Sequence, residues 1–567
     1  QSFETISTDG FNKFQPGRTS SAKLANARQE RRAFEFTSAA AELRFNEKYG
    51  VGDAGLFDML VGHLDGMARD VAMLEKLGPN PEAMIRLLIE MAVKAADGWA
   101  PAYRLQNLFD HVTGAATSPV NERFATFMRG TRAWLTSTHL GSAFLNAPSD
   151  FATMHSTAAL NGLSTTGMMS RYLSLMNPTN AADRLKAVRA GLIADAWSQR
   201  AYAMQRQSLE EFGTGLPTLV AEVVLRGSGQ NAHVQSAKWA FGLEFLDALA
   251  DRAGKKLTDL EPEFQRSMQR YGIDEPTWNT VRANTFTDED GMVTIWPEHI
   301  ASIGRREQEA VSRIMEMVNS EARFASPEPD AVDRAMTMGS TRPGTFIGEF
   351  LVRNTMLFKS FPVTMLTRHV MRGMGEIRAG DRGRYMVGMV LGMTVMAAFS
   401  LQLRALLTGK DPRDVLDASF WGAAFLQGGG AGILGDFLNS SLSRDGRGFI
   451  ETLTGPVNGL YNDLAVMTVG NLPAAFDERK ETHFGRELAR FVQRYTPGST
   501  LWYSRLALDR LLWDRVHELL DPDWNSRARQ IHRQALKERN QEFFWGPNDG
   551  DLPSRGPNLR AAWGAGP

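Results

Sequence analysis

Apolar residues recur at three- and four-residue spacing from about Arg18 to Ala250, with Gly, Pro or Asn at the breaks, a pattern that predicts one helix after another. Residues 80–98 carry a full set of terminal signals. Asn80 suits the N-cap, Pro81 the first helical position, Glu82 the positive end of the macrodipole, and Gly98 the left-handed position just past the end. Met84, Ile85, Leu88, Met91, Ala92 and Ala95 share one face of that helix, which is therefore expected to pack against a partner. Thr179 to Gly213, with Asp183 early and Leu185, Val188, Leu192 and Trp197 along it, predicts one long helix. No alternation of strands and helices and no repeating period is present. The single short strand expected is Met292–Trp296, after the acidic turn Thr287–Gly291, which reads as a solvated hairpin turn because it lacks the remaining ligands of a calcium loop.

Beyond Pro343 the pattern changes. Tyr385 to Leu403 is a run of 19 uncharged residues bracketed by Arg384 and Arg404. As a helix it rises about 28 Å, close to the ~30 Å hydrocarbon core of a bilayer. Gly388 and Gly392 stand at the spacing that lets helices approach closely. The run suits either a helix buried in the chain's own core or a membrane-active one. Ala418 to Gly435 is a second uncharged run, 18 residues long. Gly428, Gly429, Gly430 and Gly432 at its centre predict a helical hairpin or sharp turn instead of one helix. After Pro473 the chain is amphipathic again: Arg486, Arg490 and Arg494 lie on one face, and Leu488, Phe491, Val492 and Tyr495 lie mostly on the other. The last stretch, Trp545 to Pro567, reads as an extended arm that drapes over a neighbour or hangs free.

These changes divide the 567 residues into a lead segment (1–17), a helical domain (18–250), a connector with the possible hairpin (251–342), a Gly/Met-rich apolar helical domain (343–477), basic amphipathic helices (478–544) and the arm (545–567). The expected fold class is all-α, an elongated multi-helix assembly with at most a small β-hairpin near 285–297. A chain that starts at Gln1 without a secretory signal is expected to be a piece of a longer protein.

Composition narrows the function. With 63 basic and 64 acidic residues the chain is not a generally basic nucleic-acid binder, though a local basic stripe is compatible with that balance. The absence of Cys excludes thiolate metal sites, thiol nucleophiles and disulfides. Gly, at 52 residues, is above the usual ~7%.

Candidate chemistry is sparse. Gly430-Ala-Gly432-Ile-Leu-Gly435 has the letters of a dinucleotide fingerprint but no strand before it. Gly409-Lys410 lacks the first Gly of a phosphate loop and reads as a helix end. No His-x-x-x-His pair exists, and Asp521 and Asp523 beside Pro522 suit helix capping. Catalytic, metal-binding and cofactor-binding residues are accordingly expected to be none, which leans against an enzyme without deciding the matter.

Phe358-Lys-Ser-Phe-Pro362, the apolar run, Leu407-Thr-Gly-Lys-Asp-Pro412, Phe425 to Phe437 with its glycines, and Gly455-Pro456 together resemble the C-terminal region of large virion-associated internal, or ejection, proteins of tailed and especially short-tailed bacteriophages. The resemblance spans roughly residues 343–477. It implies a protein held in the virion interior, expelled ahead of the genome, and reassembled with other virion proteins in the host periplasm or inner membrane as an oligomeric conduit for DNA. On that expectation, copies associate through Gly388, Gly392, Gly428, Gly429, Gly430 and Gly432, and Arg486, Arg490 and Arg494 face DNA backbone or lipid. The alternatives are a murein-cleaving component of the same apparatus and a docking domain of a larger virion-packaged polymerase.

Overall fold

The computed structural model describes residues 36–49, 52–95, 102–190, 192, 215–287, 293–359, 363–378, 383–428, 455–469 and 484–564. The chain forms two compact units, Gln1–Ala116 with Ala194–Arg200, and Thr117–Ile193 with Ala201–Pro567. Both are built from helices. Among the described residues the β structure is one two-residue ladder and an isolated bridge, so the fold class is all-α.

The first unit contains α1 (Ala39–Tyr49), α2 (Gly52–Leu77), α3 (Pro81–Ala95) and α4 (Ala102–Thr113). The N-terminal capping signal acts as expected, while Gly98 lies outside the described residues. Asn80 Oδ1 accepts the Ala83 N–H at 3.1 Å, and Gly78, at φ +77°, closes α2. Met84, Leu88 and Met91 nevertheless stay exposed. α3 touches α2 and α4, and neither covers that face.

In the second unit, α5 (Glu122–His139), α6 (Ala147–Leu160), α7 (Thr165–Met176), α8 (Ala181–Arg189), α9 (Leu216–Gly227) and α10 (Gln230–Ala250) surround the core. α10 is buried on nearly every side, through Val234, Ala237, Phe241, Phe245 and Leu249. Such a helix keeps polar groups only where each finds a partner. His233 meets Asp150 at 2.8 Å, Lys238 meets Glu328 at 2.6 Å, and Glu244 meets Arg171 at 2.9 Å.

The long helix expected from Thr179 stops at Arg189. The Leu192 N–H turns back to the Ala187 carbonyl at 3.2 Å, and the Leu192 carbonyl takes the indole N–H of Trp239 at 3.2 Å. Its side chain fills the gap over Gly242, where a Cβ would lie 2.7 Å from it. Burying Leu192 against α10 thus wins over continuing the helix; residues 193–214 lie outside the described set.

Next come α11 (Pro262–Arg270), α12 (Glu275–Arg282), β1 (Phe286–Thr287), β2 (Val293–Thr294), α13 (Pro297–Ile303), α14 (Arg305–Ala325) and α15 (Ala331–Met338). β1 and β2 pair antiparallel, with Phe286 opposite Thr294, as the hairpin expectation requires. The Pro343 composition change is not a boundary between compact units. The Val120 N–H bonds the Pro343 carbonyl at 2.8 Å, Arg132 pairs with Glu349 at 2.7 Å, and Trp134 donates to the Tyr495 carbonyl at 3.1 Å.

The remaining helices are α16 (Met371–Arg378), α17 (Arg384–Leu407), α18 (Ala418–Gln427), α19 (Pro456–Thr468), α20 (Phe484–Tyr495), α21 (Arg505–Leu508), α22 (Asp514–Leu520) and α23 (Trp524–Arg539). Three π-helical turns, Ile347–Arg353, Met365–Val370 and Asp509–Trp513, carry the buried Glu349, His369 and Arg510.

The arm drapes over its own chain. Phe544 N–H bonds the Gly409 carbonyl at 2.9 Å, Arg555 grips Asp411 at 2.6 and 3.0 Å, and the Val415 N–H bonds the Ala562 carbonyl at 3.0 Å. Gly409 is left-handed at φ +78°, and a Cβ there would run into the Trp545 carbonyl. Gly409→Ala is expected to cost about 1–3 kcal/mol, from ~1–2 kcal/mol of left-handed strain plus displacement of the arm. A lower melting temperature with faster tryptic cleavage at Arg555 checks this; an unchanged cleavage rate would show that the arm does not depend on the Gly409 turn.

Candidate interaction surface

α17 begins after Gly383, which is left-handed at φ +79°, and runs for 24 residues. One side packs on α6, where Met365, Met389, Met393 and Ala152 form a cluster and a Cβ on Gly392 would lie 3.1 Å from Ala152 Cβ. α18 folds back on its C-terminal half through Ala397, Ala398, Phe420 and Ala424. Asp417 caps α18 by accepting the Ser419 N–H at 2.9 Å, and α17 and α18 form a helical hairpin; the turn expected inside the second apolar run, beyond Gly428, lies outside the described residues.

The other side of α17 is open. Val387, Leu391, Val395 and Phe399, four residues apart, are 58%, 62%, 52% and 59% exposed, with no charge among them. On α18 Trp421 and Phe425 are exposed too, as is Leu416 in the connection. A soluble core helix of this length and apolarity would be mostly buried; α17 is not, and among the described residues it is the helix long and apolar enough to cross a membrane.

The glycines expected at subunit contacts divide. A Cβ on Gly388 would meet nothing within 4 Å, so Gly388 belongs to the open stripe. Gly392 and Gly428 serve packing within the chain, Gly392 on Ala152 and Gly428 against the Met393 carbonyl, which a Cβ there would approach to 2.7 Å. Gly429, Gly430 and Gly432 lie outside the described residues.

The basic face of α20 is partly neutralised. Asp463 of α19 holds Arg494 at 2.9 Å and also accepts the Tyr495 hydroxyl. Glu487 lies 3.9 Å from Arg486, and Arg490 is exposed. Arg490 also lies close enough to His517 to help push that imidazole's pKa down, after burial as the main cause. Sequence spacing identified the arginines but not the distant carboxylate on Asp463.

A less neutralised basic surface was missed. α23 carries Arg529, Arg533 and Lys537 at four-residue spacing, all exposed and without ion pairs among the described residues, followed by Arg539. The signal was there: Glu538 is the only acid in Trp524–Arg539.

Two buried polar clusters resemble catalytic groupings by composition. Asp150, His233 and Tyr172 form a chain, with Nε2 2.8 Å from Asp150 Oδ2 and Nδ1 2.8 Å from the Tyr172 hydroxyl. Burial, then the Asp150 charge, raises the Tyr172 pKa, and Phe144 and Phe151 lie edge-on to the imidazole. Glu321 receives Arg372 at 2.7 and 2.8 Å, Arg270 at 3.3 Å, the Asn161 amide at 2.7 Å and the Tyr271 hydroxyl at 2.8 Å. Nearby, His369 is held down to about 3, by burial first and then by Arg372 and Arg368. The groups at the centre of both clusters, His233, Asp150 and Glu321, are enclosed, so their geometry joins helices and leaves no open face for a substrate.

An open cleft of about 750 Å³ lies beside the hairpin, lined by Arg171, Asp247, Asp251, Arg282, Thr285 and Thr294. Arg171 is already bound to Glu244 and Asp247, and Arg282 to Asn279 and the Ala253 carbonyl. Among the described residues no group of three or more His, Asp or Glu side chains is placed to hold a metal. Asp521 accepts the Asp523 N–H at 3.2 Å and pairs with Arg527 at 3.0 Å, shaping the turn into α23.

The chain matches no family model, no curated protein and no solved structure. Its function therefore has to be argued from the surface itself.

Proposed function

We propose that this chain is a structural, membrane-engaging protein whose α17–α18 hairpin seats on a lipid bilayer. The observation that carries the reading is the uncharged stripe Val387, Leu391, Val395 and Phe399, continued by Trp421, Phe425 and Leu416. Removing that stripe from water is worth roughly 25 cal/mol for each Å² buried, and a bilayer buries it with no matching shape on the other side. Trp at the margin of such a surface suits the headgroup region.

Together with the resemblance of residues 343–477 to virion ejection proteins, the stripe supports a specific setting. In it, the protein is carried inside a tailed-phage particle, associates with further copies and other ejection proteins, and engages the host inner membrane during genome delivery. Met-rich packing around Met365, Met389 and Met393 suits a helix that changes neighbours, because Met fills irregular gaps.

Flotation with phosphatidylcholine vesicles tests the reading. The full chain is expected to float, and Leu391→Glu with Val395→Glu to remain at the bottom, since each charge costs about 2.5–3.5 kcal/mol at apolar depth. Both sites are exposed, so the melting temperature is expected to stay within a few degrees of the parent. A chain that never floats would sink the membrane reading. Retention in the particle after DNA release would remove the ejection setting.

A further inference from the structure

The loop between α17 and α18 brings together cations that sequence spacing does not relate. Lys410 pairs backbone to backbone with Phe543 and places its Nζ 5.1 Å from the Phe543 ring centre. Arg413 is held by a two-way amide lock, its N–H on Gln402 Oε1 at 2.7 Å and its carbonyl on Gln402 Nε2 at 2.6 Å; its guanidinium lies 5.5 Å from the Phe420 ring centre. Arg539, from the last turn of α23, joins them as the left-handed Asn540 directs the chain back to this loop.

The neighbouring carboxylates are taken. Asp411 and Glu542 bind Arg555, Asp514 binds Arg510, Asp414 accepts the Leu416 N–H, and Asp417 spends both oxygens on Ser419. Among the described residues no carboxylate comes within ion-pair distance of Lys410, Arg413 or Arg539. Burial first, and then repulsion from Arg539, hold both Lys410 and Arg413 below their ordinary values, with Arg510 adding to the effect on Lys410 and the Asp417 charge partly offsetting it at Arg413. A helix dipole accounts for basic residues in one final turn; it does not account for cations from two distant segments meeting with no carboxylate at ion-pair distance among the described residues.

The same place is apolar on its outer side. Leu416 and Trp563 are each 73% exposed. The Ala562 carbonyl holds the Val415 N–H at 3.0 Å, and the Val415 carbonyl accepts the Trp421 indole N–H at 2.8 Å, so both tryptophans are tied to the Arg413–Leu416 loop.

We propose that Lys410, Arg413 and Arg539 form a docking site for the phosphates of an anionic phospholipid surface, at the end of the apolar hairpin where Leu416, Trp421 and Trp563 enter the headgroup layer. The inference rests on the membrane reading above and adds lipid selectivity to it. Charge complementarity selects the occupant. Cations with no ion-pair partner among the described residues attract anionic headgroups, and the adjoining apolar residues suit acyl chains and not the phosphodiester backbone of a duplex.

Vesicle flotation of the full chain, with and without phosphatidylglycerol in phosphatidylcholine, tests this against Lys410→Gln/Arg413→Gln/Arg539→Gln, with Arg486→Gln/Arg490→Gln as a charge control. The parent is expected to partition more strongly onto phosphatidylglycerol vesicles, with the preference fading as salt is raised. The triple variant is expected to lose about a hundredfold of that partition while binding neutral vesicles like the parent, at roughly 1 kcal/mol per cation near an anionic surface. Because the three positions are not all fully exposed, Arg539→Gln alone, at an exposed site, is measured beside it and is expected to lose a third of the effect on a logarithmic scale. Equal binding of the parent to both vesicle types overturns the lipid selectivity and leaves the membrane reading standing; no binding to either overturns both. A triple variant that keeps the preference overturns the assignment to these residues. So does duplex DNA displacing the parent from phosphatidylglycerol vesicles through the same three side chains, which would make the surface a nucleic-acid site.

Discussion

Replacing Glu321 by Ala is expected to lower the stability of the second unit by about 3–5 kcal/mol, because it strips the carboxylate from the buried Arg372 guanidinium, while Arg270 keeps Glu376 at 2.8 Å. Glu321 joins α14 to α6 through Asn161, to α11 through Arg270 and to α16 through Arg372. The guanidinium of Arg372 also lies 3.2 Å from the Phe324 ring centre, so its other face has no water to turn to. Burial alone would raise the Glu321 pKa, but the charge and hydrogen bonds of Arg372, the Asn161 amide and Arg270 outweigh it and hold the carboxyl below the ordinary value. A carboxylate with a depressed folded pKa binds its proton more readily when unfolded. Its contribution is thus complete above the unfolded pKa and is lost as pH falls through the folded one. Asp333 and Asp509 are shifted upward by burial, so they oppose this slope. The measurement is therefore the difference in chemical-denaturation stability between the parent and Glu321→Gln. That difference is expected to be largest at neutral pH and to shrink below the ordinary carboxylate range. A pH-independent difference would mean that packing, and not charge, is what Glu321 supplies.

Arg132→Met is expected to cost a similar ~3–5 kcal/mol, since it strips the partner from Glu349, whose side chain is wholly buried. The same guanidinium nitrogen reaches Glu349 at 2.7 Å and Asn354 at 3.1 Å, so it ties α5 to the first π-helical turn and to the residue that follows it. Glu349 is also the acceptor for the Gly344 N–H at 2.7 Å. The double change Arg132→Met/Glu349→Met discriminates the causes. Removing both charges is expected to recover most of the loss, because the cost lies in the orphaned carboxylate and not in the missing attraction. Thermal or urea unfolding of the single and double variants reads this directly. A double variant no more stable than the single one would indicate that the Glu349–Gly344 bond carries the energy.

These two pairs also show where reading the sequence stops. Helix existence was legible because it depends on local periodicity and on caps a few residues away: Asn80 before Pro81, Asp183 in the first turn of α8, Gly409 after α17. The pairing of 286–287 with 293–294 was legible for the same reason. The long helix from Thr179 was misjudged because Leu192 finds its partner in Gly242, fifty residues on, and a side chain that fills such a gap is worth more than another turn of helix. Of the glycines in the apolar region, Gly392 and Gly428 pack closely within the chain and Gly388 meets nothing, and spacing could not say whether a neighbour would be Ala152 of the same chain or another molecule.

Charge behaved in the same way. Four-residue spacing identified Arg486, Arg490 and Arg494 as one face, but the carboxylate that neutralises Arg494 comes from Asp463, and only folding brings it there. Lys410 and Arg413 look unremarkable along the chain, with Arg539 more than a hundred residues further on, and the three become a cluster because the end of α23 returns to the loop after α17. The sequence by itself determined the helical class, the helix ends and the presence of an uncharged stretch long enough for a membrane, since each depends on residues within a turn or two. The tertiary structure alone decided which side of that stretch stays open, which glycines are used within the chain and which cations have no ion-pair partner among the described residues. Exposure and charge balance are properties of what surrounds a residue in space, and those neighbours come from distant parts of the chain.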